Sequence, residues 1–255
     1  MTGNDFKIKG SGKPLVLLHP FPFSSEFWAK LEPFPGYRLI LPNFPGFGET
    51  PIQTVGYKLS DAAQDLQAHL RKLLTPNEKI ILGGISMGGY WAFEFLSRFP
   101  DQVEGLILIS TRPGIDKPLA RENRLKMAER VEKEGCHWLP EAMVQGLLGS
   151  TARSNQQPLV DWISREISAV KPQAIALAQR AMAQRIEHTD LLTSIKARTL
   201  IMAGQEDSLI PLNEAEQMAK SIPDSDLKVF KTSGHLIPLE EPIEFRKSLE
   251  EFLCK

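Results

Sequence analysis

The segment of this sequence best suited to catalysis is a serine flanked by glycines. Leu82-Gly-Gly-Ile-Ser86-Met-Gly-Gly-Tyr90 directly follows an apolar run and opens a stretch with helical spacing. On so sharp a strand-to-helix turn, side chains two residues before and after the serine would collide, so glycine is needed at Gly84 and Gly88. The turn projects the serine hydroxyl above a sheet edge, and the helix N-terminus favours negative charge there. The pattern predicts that Ser86 is a nucleophile.

Two other interpretations of this segment stay open at the level of sequence. A phosphate-binding loop would need GxGxxG or GxxxxGK[ST], and the run fits neither spacing. A glycine-rich turn with an incidental serine also matches GxSxG, but the apolar run before it and the helical stretch after it favour the nucleophile.

A serine nucleophile needs a general base that can reach its hydroxyl. The sequence has five histidines, namely His19, His69, His137, His188 and His235. His235 follows the last predicted strand on a loop that Gly234 allows to turn tightly, and ligands bind at the carboxyl edge of such sheets. The others lie in an amphipathic helix, in a helical region or in another loop. We therefore expect His235 to be the base.

A carboxylate should orient this base from a loop after another strand, between Ser86 and His235. The segment 204–211 follows the predicted strand 199–202 and contains Asp207, with Glu206 as the nearest competitor. The order nucleophile, acid, histidine then predicts a Ser-His-Asp triad, in which the imidazole takes the serine proton and the carboxylate fixes its tautomer.

The tetrahedral intermediate of acyl transfer also needs donors for its oxyanion. One should be the backbone N–H of Met87, the residue after the nucleophile. The second should come from Phe21, whose proline neighbours in His19-Pro-Phe-Pro-Phe23 cannot donate but stiffen the loop. A proline-stiffened surface turn is the alternative. We expect His19 to be structural, with hydrogen bonds inside the loop.

These residues must be positioned by strands and helices that alternate along the chain. The predicted strands are 6–8, 15–18, 37–41, 79–82, 103–109, 199–202 and 227–230. The predicted helices between them are 60–74 with Ser60 as N-cap, 87–99, 212–221 and 243–253. Nearly continuous apolar strands alternating with amphipathic helices predict an α/β protein with a mostly parallel twisted sheet flanked by helices.

The region 112–195 breaks this alternation. It contains no convincing strand, and its helices, among them 119–131 and 174–186, are separated at Gly135, Pro140, Pro158 and Pro172. We expect it to be a helical cap inserted into a core formed by 1–111 and 196–255. A separate helical domain with its own core is the alternative.

Five segments of the chain, taken together, resemble the α/β-hydrolase superfamily, in particular bacterial carboxylesterases and enol-lactonase-like serine hydrolases with a helical cap. The matching segments are Leu17-Leu-His19-Pro-Phe-Pro, the turn 42–50, the serine turn 84–89, the acid loop 204–211 and Gly234-His235. Pro20 stands where the family usually has glycine, and Asn43 where it usually has aspartate. We expect Asn43 to affect loop hydrogen bonding rather than chemistry.

The resemblance implies hydrolysis of a small or medium carboxylic ester through an acyl-enzyme, with an enol-lactonase or a C–C bond hydrolase on the same triad as alternatives. A non-catalytic ligand sensor is the alternative from another class. Six apolar side chains could line a pocket for the acyl or alcohol group, or belong to the core: Phe21, Phe23, Trp28, Met87, Trp138 and Met143.

Composition limits the partners. The 255 residues carry a net charge of −1 without like-charge blocks, which gives no electrostatic reason to expect nucleic acid or anionic membrane. Two cysteines outside any metal-ligand spacing and a polar segment 1–13 favour a cytoplasmic protein without disulfides. We expect no cofactor and no metal, a small-molecule ester or lactone as substrate, and a monomer or homodimer.

Overall fold

A seven-stranded sheet forms the centre of the molecule. The computed structural model describes residues 6–54 and 56–254, so part of the polar N-terminal segment lies outside the described residues. The strands are β1 (Phe6–Gly10), β2 (Lys13–Leu18), β3 (Tyr37–Pro42), β4 (Ile80–Ile85), β5 (Val103–Ile109), β6 (Arg198–Gly204) and β7 (Ser225–Phe230). Each of the seven predicted strands is confirmed, with ends that move by at most three residues.

The strands lie in the order β1-β3-β2-β4-β5-β6-β7. Only the edge strand β1 runs antiparallel to its neighbour, and the other pairs are parallel. Because β4, β5 and β6 are covered on both faces, nearly every residue in them is buried. The predicted mostly parallel sheet is therefore confirmed, and the loops after β2, β4, β6 and β7 all leave its carboxyl edge.

Five helices outside the region between β5 and β6 flank this sheet: α1 (Leu59–Leu73), α2 (Met87–Arg98), α8 (Leu212–Ser221), the short α9 (Ile237–Glu240) and α10 (Pro242–Leu253). The predicted cap at Ser60 is wrong, because α1 begins at Leu59 and its N-cap is Lys58. The Asp61 carboxylate accepts the Lys58 N–H at 2.8 Å, so a carboxylate three residues on satisfies the helix start.

The chain between β5 and β6 forms the other helices, α3 (Pro118–Glu134), α4 (Leu139–Leu147), α5 (Ser150–Asn155), α6 (Gln157–Ala169) and α7 (Pro172–Ala183). The predicted breaks lie where helices meet: α3 ends before Gly135, which has φ +76°, and Pro140, Pro158 and Pro172 lie in the first turns of α4, α6 and α7.

The predicted end of the last of these helices at residue 186 is wrong, because α7 ends at Ala183. Arg185 leaves the helix and donates to both Asp116 carboxylate oxygens, at 2.6 and 2.9 Å. Arg185 therefore bonds to a buried carboxylate at the position where the last helical turn was predicted.

The region 112–195, called here the helical insertion, shares its apolar core with the sheet. Its buried residues Ala128, Ile163 and Ile175 belong to the same contiguous cluster as the strand residues. Polar and aromatic contacts add to this: the Arg185 guanidinium lies 4.3 Å above the Tyr90 ring of α2. The insertion is therefore packed onto the sheet.

Within residues 6–54 and 56–254, no helix has the length and apolar character needed to cross a bilayer.

Candidate active site

Ser86 stands on a strained turn between β4 and α2. Its φ of +53° and ψ of −115° lie outside the usual regions for a residue with a side chain. A Cβ on Gly84 would overlap the Gly88 carbonyl oxygen, and a Cβ on Gly88 would overlap the Leu18 carbonyl oxygen. Both glycines are therefore needed for the turn to pack against the end of β2.

Backbone contacts on both sides hold Ser86 in this conformation. Its N–H donates to the Ile109 carbonyl at 3.0 Å, and its carbonyl accepts the Thr111 hydroxyl at 3.0 Å. A Cβ on Gly89 would overlap this same threonine hydroxyl. Thr111 is a support that sequence reasoning missed, since nothing in the local pattern at the end of β5 distinguishes it from any loop threonine.

His235 and Asp207 form a buried pair at the same sheet edge. The Asp207 carboxylate oxygen Oδ2 lies 2.8 Å from the His235 ring nitrogen Nδ1. The other oxygen accepts the N–H groups of Leu209 and Ile210 at 2.9 and 3.0 Å. Both side chains are nearly inaccessible to solvent. The carboxylate is thus fixed by its own loop, and the proton between the pair belongs on Nδ1, which leaves Nε2 as the free acceptor.

The loops carrying Ser86 and His235 leave the same edge of the sheet, after β4 and β7. Among the described hydrogen bonds, none joins the Ser86 hydroxyl to the His235 ring. Contacts of this kind are often long before substrate binds. The structure thus contains the hydrogen bond between His235 and Asp207.

Glu206, the competitor for the acid position, points elsewhere. Its carboxylate accepts the hydroxyls of Ser150 and Thr151 and the Thr151 N–H, at 2.6 to 2.9 Å. These donors form the N-terminus of α5 in the insertion. Glu206 therefore anchors the insertion to the acid loop and leaves Asp207 as the carboxylate on the imidazole.

The loop after β2 folds tightly beside the serine turn. Phe23 N–H donates to the Pro20 carbonyl at 2.9 Å, so Phe21 and Pro22 form the tip of a turn. Met87 is the first residue of α2, and its N–H has no intrahelical acceptor. The predicted donors Phe21 and Met87 thus lie on two segments that pack closely where Gly88 contacts Leu18 and His19.

His19 stabilises this loop as a neutral ring. It is fully buried, its Nδ1 lies 3.0 Å from the Pro20 carbonyl, and its Nε2 accepts the Phe44 N–H at 2.9 Å. Desolvation lowers the pKa of His19 from 6.5 to about 4, against the opposing hydrogen bond to Pro20. The nearby turn uses Asn43, whose side-chain oxygen accepts the Ser25 N–H at 2.6 Å.

The remaining histidines lie away from this edge of the sheet. His188 lies 3.4 Å from Glu94 on α2, His69 contacts the Asp65 carbonyl within α1, and His137 is exposed. None of them has a contact with Ser86 or Asp207 among the described hydrogen bonds.

A buried carboxylate that sequence reasoning missed lies beside the histidine. Glu240 accepts the N–H groups of Gly149, Gly234 and Leu236 at 2.8 to 2.9 Å. Burial raises its pKa, against the lowering effects of these three bonds and of positive charge on His235. The only signal in the sequence is a carboxylate at the end of the apolar run Leu236-Ile-Pro-Leu239.

The apolar residues proposed for a pocket divide into two groups. Phe21, Phe23 and Met87 are buried around the serine turn, and the Phe23 ring stacks on Trp162 of α6 at 5.8 Å. Trp28 stacks on Phe245 of α10 and is a core residue. Trp138 lies under the Arg130 guanidinium at 3.9 Å, and Met143 packs against the core.

In residues 6–54 and 56–254, no three His, Cys, Asp or Glu side chains lie together in an arrangement that could hold a metal ion.

Sequence comparison places this chain among known proteins. The family model for the alpha/beta hydrolase fold matches residues 13–242. A putative 2-succinyl-6-hydroxy-2,4-cyclohexadiene-1-carboxylate synthase of Bacillus subtilis (strain 168) is 28% identical over 95% of this chain and 91% of its own. A pimeloyl-[acyl-carrier protein] methyl ester esterase of Legionella pneumophila (strain Corby) is 24% identical over 96% of each chain.

Structural comparison agrees. A thermophilic esterase from Thermogutta terrifontis superposes with a TM-score of 0.92 and 37% identity, over 98% of this chain and 92% of that one. These similarities confirm the predicted α/β-hydrolase fold and the resemblance to bacterial esterases.

Proposed function

Because the chain belongs to the alpha/beta hydrolase family, we propose that it is a carboxylesterase that cleaves small to medium carboxylic esters with Ser86, His235 and Asp207. The family supports hydrolase chemistry, and its members in the comparison include esterases as well as a putative synthase. The esterase assignment rests on the groups at the carboxyl edge of the sheet.

One observation carries the proposal: the 2.8 Å contact of Asp207 and His235, with the second carboxylate oxygen held by two backbone N–H groups. A carboxylate so fixed keeps the proton on Nδ1 and stabilises the imidazolium once Nε2 takes a proton. An imidazole prepared in this way is what a serine hydroxyl needs to become a nucleophile at neutral pH.

In the first half of the proposed reaction, the Ser86 oxygen attacks the ester carbonyl carbon while its proton passes to His235 Nε2. The carbonyl π electrons move to the oxygen, which becomes an oxyanion. The N–H groups of Phe21 and Met87 donate to it, and the N-terminus of α2 adds a favourable field. Collapse of the intermediate breaks the bond to the alcohol oxygen, which leaves with the proton from His235.

In the second half, water attacks the acyl-enzyme and gives a proton to His235. The new tetrahedral intermediate collapses to the carboxylic acid, and the proton returns to the Ser86 oxygen. His235 and the oxyanion donors therefore act in both halves of the reaction, and all of these groups come from this chain.

We place the helical insertion as a cap over this site. Its α6 contacts the oxyanion loop through Trp162 and Phe23, and the start of its α5 contacts the acid and histidine loops through Glu206 and Glu240. The insertion thus adjoins every loop to which we assign a catalytic role except the serine turn itself. In this position it would limit the size of the acyl or alcohol group.

A paired assay tests the proposal. The wild-type chain should hydrolyse short p-nitrophenyl esters and become labelled by a fluorophosphonate probe, whereas Ser86→Ala should lose labelling and about 10⁴-fold or more in turnover. Thr111→Val, which removes a support without removing the nucleophile, should still be labelled and serves as the comparison.

Each outcome has a distinct meaning. Labelling of the wild-type chain without ester turnover would overturn the esterase assignment and direct the search to lactones and C–C substrates. Failure of both would indicate a ligand sensor. Turnover that survives in Ser86→Ala would remove Ser86 from the mechanism.

A further inference from the structure

Glu240 occupies an unusual place for a carboxylate. It lies at the end of α9, its side chain is buried, and one of its oxygens accepts Leu236 N–H at 2.9 Å. The other accepts Gly234 N–H and Gly149 N–H, both at 2.8 Å. The first two donors belong to the residues on either side of His235. A single carboxylate thus holds the backbone of the histidine from both directions.

The third donor belongs to the helical insertion. Gly149 precedes α5, and a Cβ on it would lie 2.8 Å from the Gly234 nitrogen. A Cβ on Gly234 would overlap the Gly149 nitrogen, and one on Gly204 would overlap the Gly234 carbonyl. The insertion, the histidine loop and the acid loop therefore meet backbone to backbone, and Glu240 bridges the first two.

Neighbouring carboxylates hold the same segments at other points. Glu241 accepts the Thr232 and Ser233 hydroxyls at 2.8 Å, and Glu206 accepts donors at the start of α5. Among the described side chains, Glu240 is the carboxylate that accepts the N–H groups of the residues on both sides of His235. This distinguishes it from Glu206, which contacts the insertion alone through its side chain.

We infer that Glu240 is a positioning residue, which fixes the orientation of His235 by accepting the N–H groups of the residues on both sides of it and places a carboxylate beside the ring. The inference rests on the proposed function, in which His235 must accept and return a proton. Bonds to the N–H groups of Gly234 and Leu236 leave the loop little freedom to rotate the ring away from Ser86.

The charged groups around the ring decide what the loss of this carboxylate would do. Asp207 contacts the ring directly from the acid loop, and Glu240 faces it from α9. Glu206 and Glu241 bond outward to α5 and to Thr232. The insertion offers Glu240 only neutral groups, the Gly149 N–H and the Gln156 amide, which donates to the Glu240 carbonyl at 3.1 Å. Glu240 is therefore the second carboxylate near the ring, and in its ionised form it favours the imidazolium.

The test compares Glu240→Gln with Glu206→Gln in the full chain. Gln keeps the size of the side chain but loses the charge, and its amide nitrogen cannot accept an N–H. Titration of the His235 ring, followed by NMR and assigned with His235→Ala, should move its midpoint to lower pH in Glu240→Gln, because the carboxylate charge is lost. Glu206→Gln should leave this midpoint at the wild-type position.

The same variants give a kinetic readout. The acidic limb of the pH profile of kcat/KM should move to lower pH in Glu240→Gln, and the maximum should fall about 10- to 100-fold through misorientation of the base. In Glu206→Gln the limb should not move. A residue that only supported the fold would lower the amount of active protein and leave the limb in place.

An unchanged His235 midpoint in folded Glu240→Gln would overturn the inference. If that variant does not fold, Glu240→Asp keeps the charge but cannot span all three N–H groups. A wild-type midpoint together with wild-type exchange rates of the Gly234 and Leu236 amides in that variant would equally overturn it. The titration needs no substrate, so a wild-type chain that hydrolyses no ester would refute the proposed function while the role of Glu240 was still decided.

Discussion

At the scale of single residues, the buried polar side chains of the candidate site are held by hydrogen bonds, most of them to backbone groups. Asp207 binds two N–H groups of its own loop and has its last oxygen on His235. His19 uses both ring nitrogens within the loops that flank the site. Such pairing matters because an unsatisfied buried polar group costs about 1–3 kcal/mol.

His19 makes stability depend on pH. Its pKa is about 4 in the fold against 6.5 for an exposed ring, because burial disfavours the charged form. Between these values the unfolded chain binds a proton that the folded chain does not, so the stabilisation is complete above pH 6.5 and is lost as pH falls toward 4. The loss should reach about 3 kcal/mol, since one pKa unit is 1.36 kcal/mol.

Urea unfolding of wild type and His19→Gln between pH 7 and pH 4.5 measures this effect. Gln can still accept the Phe44 N–H but does not titrate, so its stability should decline less steeply with acid. His137→Gln, which alters an exposed ring, should keep the wild-type slope. Parallel slopes for all three proteins would show that His19 does not carry the effect.

At the scale of elements, the sequence contained most of what positions the site. Apolar runs located the seven strands, and the order of serine, acid and histidine along them located the loops. Glycines and prolines marked the helix boundaries of the insertion, since their backbone preferences are local. The end of α7 could not be predicted from local sequence. Arg185, just after the helix, bonds to Asp116, which is 69 positions away in the chain.

The same distinction explains the site residues. The positions of Ser86, Asp207 and His235 after β4, β6 and β7 were predictable because each follows a recognisable strand in a fixed order. Glu240 and Thr111 were not, because their roles are contacts to backbone groups that only the folded chain brings near. A sequence pattern shows which groups could react, but not which groups hold them in place.

The serine turn should not tolerate a methyl group at Gly88. The added Cβ in Gly88→Ala would overlap the carbonyl oxygen of Leu18, the last residue of β2, which cannot move without disturbing the sheet. We expect destabilisation by about 1–3 kcal/mol together with a large loss of fluorophosphonate labelling, since the turn must open.

Gly114→Ala is the matched control for this change. Its Cβ would meet only the Glu187 carboxylate, at 3.6 Å, an ordinary contact at the end of a side chain. Thermal unfolding and labelling should therefore both stay near wild type. Normal labelling of Gly88→Ala would mean that the turn does not require glycine there.

At the scale of the whole molecule, the two ends of the helical insertion are joined to each other. Asp116 lies just after β5, Arg185 just after α7, and their bidentate contact closes the insertion at its base. Arg124 of α3 adds a third bond to the same carboxylate at 2.6 Å. Burial alone would raise the pKa of Asp116, but the two arginines hold it at about 2. Its charge therefore persists in the core at neutral pH.

Breaking this contact should cost far more than breaking a comparable one on the surface. Arg185→Met removes the bidentate partner of Asp116 and the cation above Tyr90 but leaves Arg124 and Arg112 beside the carboxylate, so we expect a loss of about 2–3 kcal/mol at pH 7, below the full cost of an unpaired buried charge. Arg180→Met removes an equally bidentate pair with Glu132, but those side chains are 25% and 39% exposed, so the loss should stay below about 1 kcal/mol.

Urea unfolding at pH 7 and at lower pH separates the two variants. As the pH falls, the poorly paired Asp116 of Arg185→Met takes up a proton earlier than the wild-type carboxylate, so the difference in stability should shrink toward pH 2. Equal losses for the Arg185 and Arg180 variants would show that the buried pair contributes no more than a surface one.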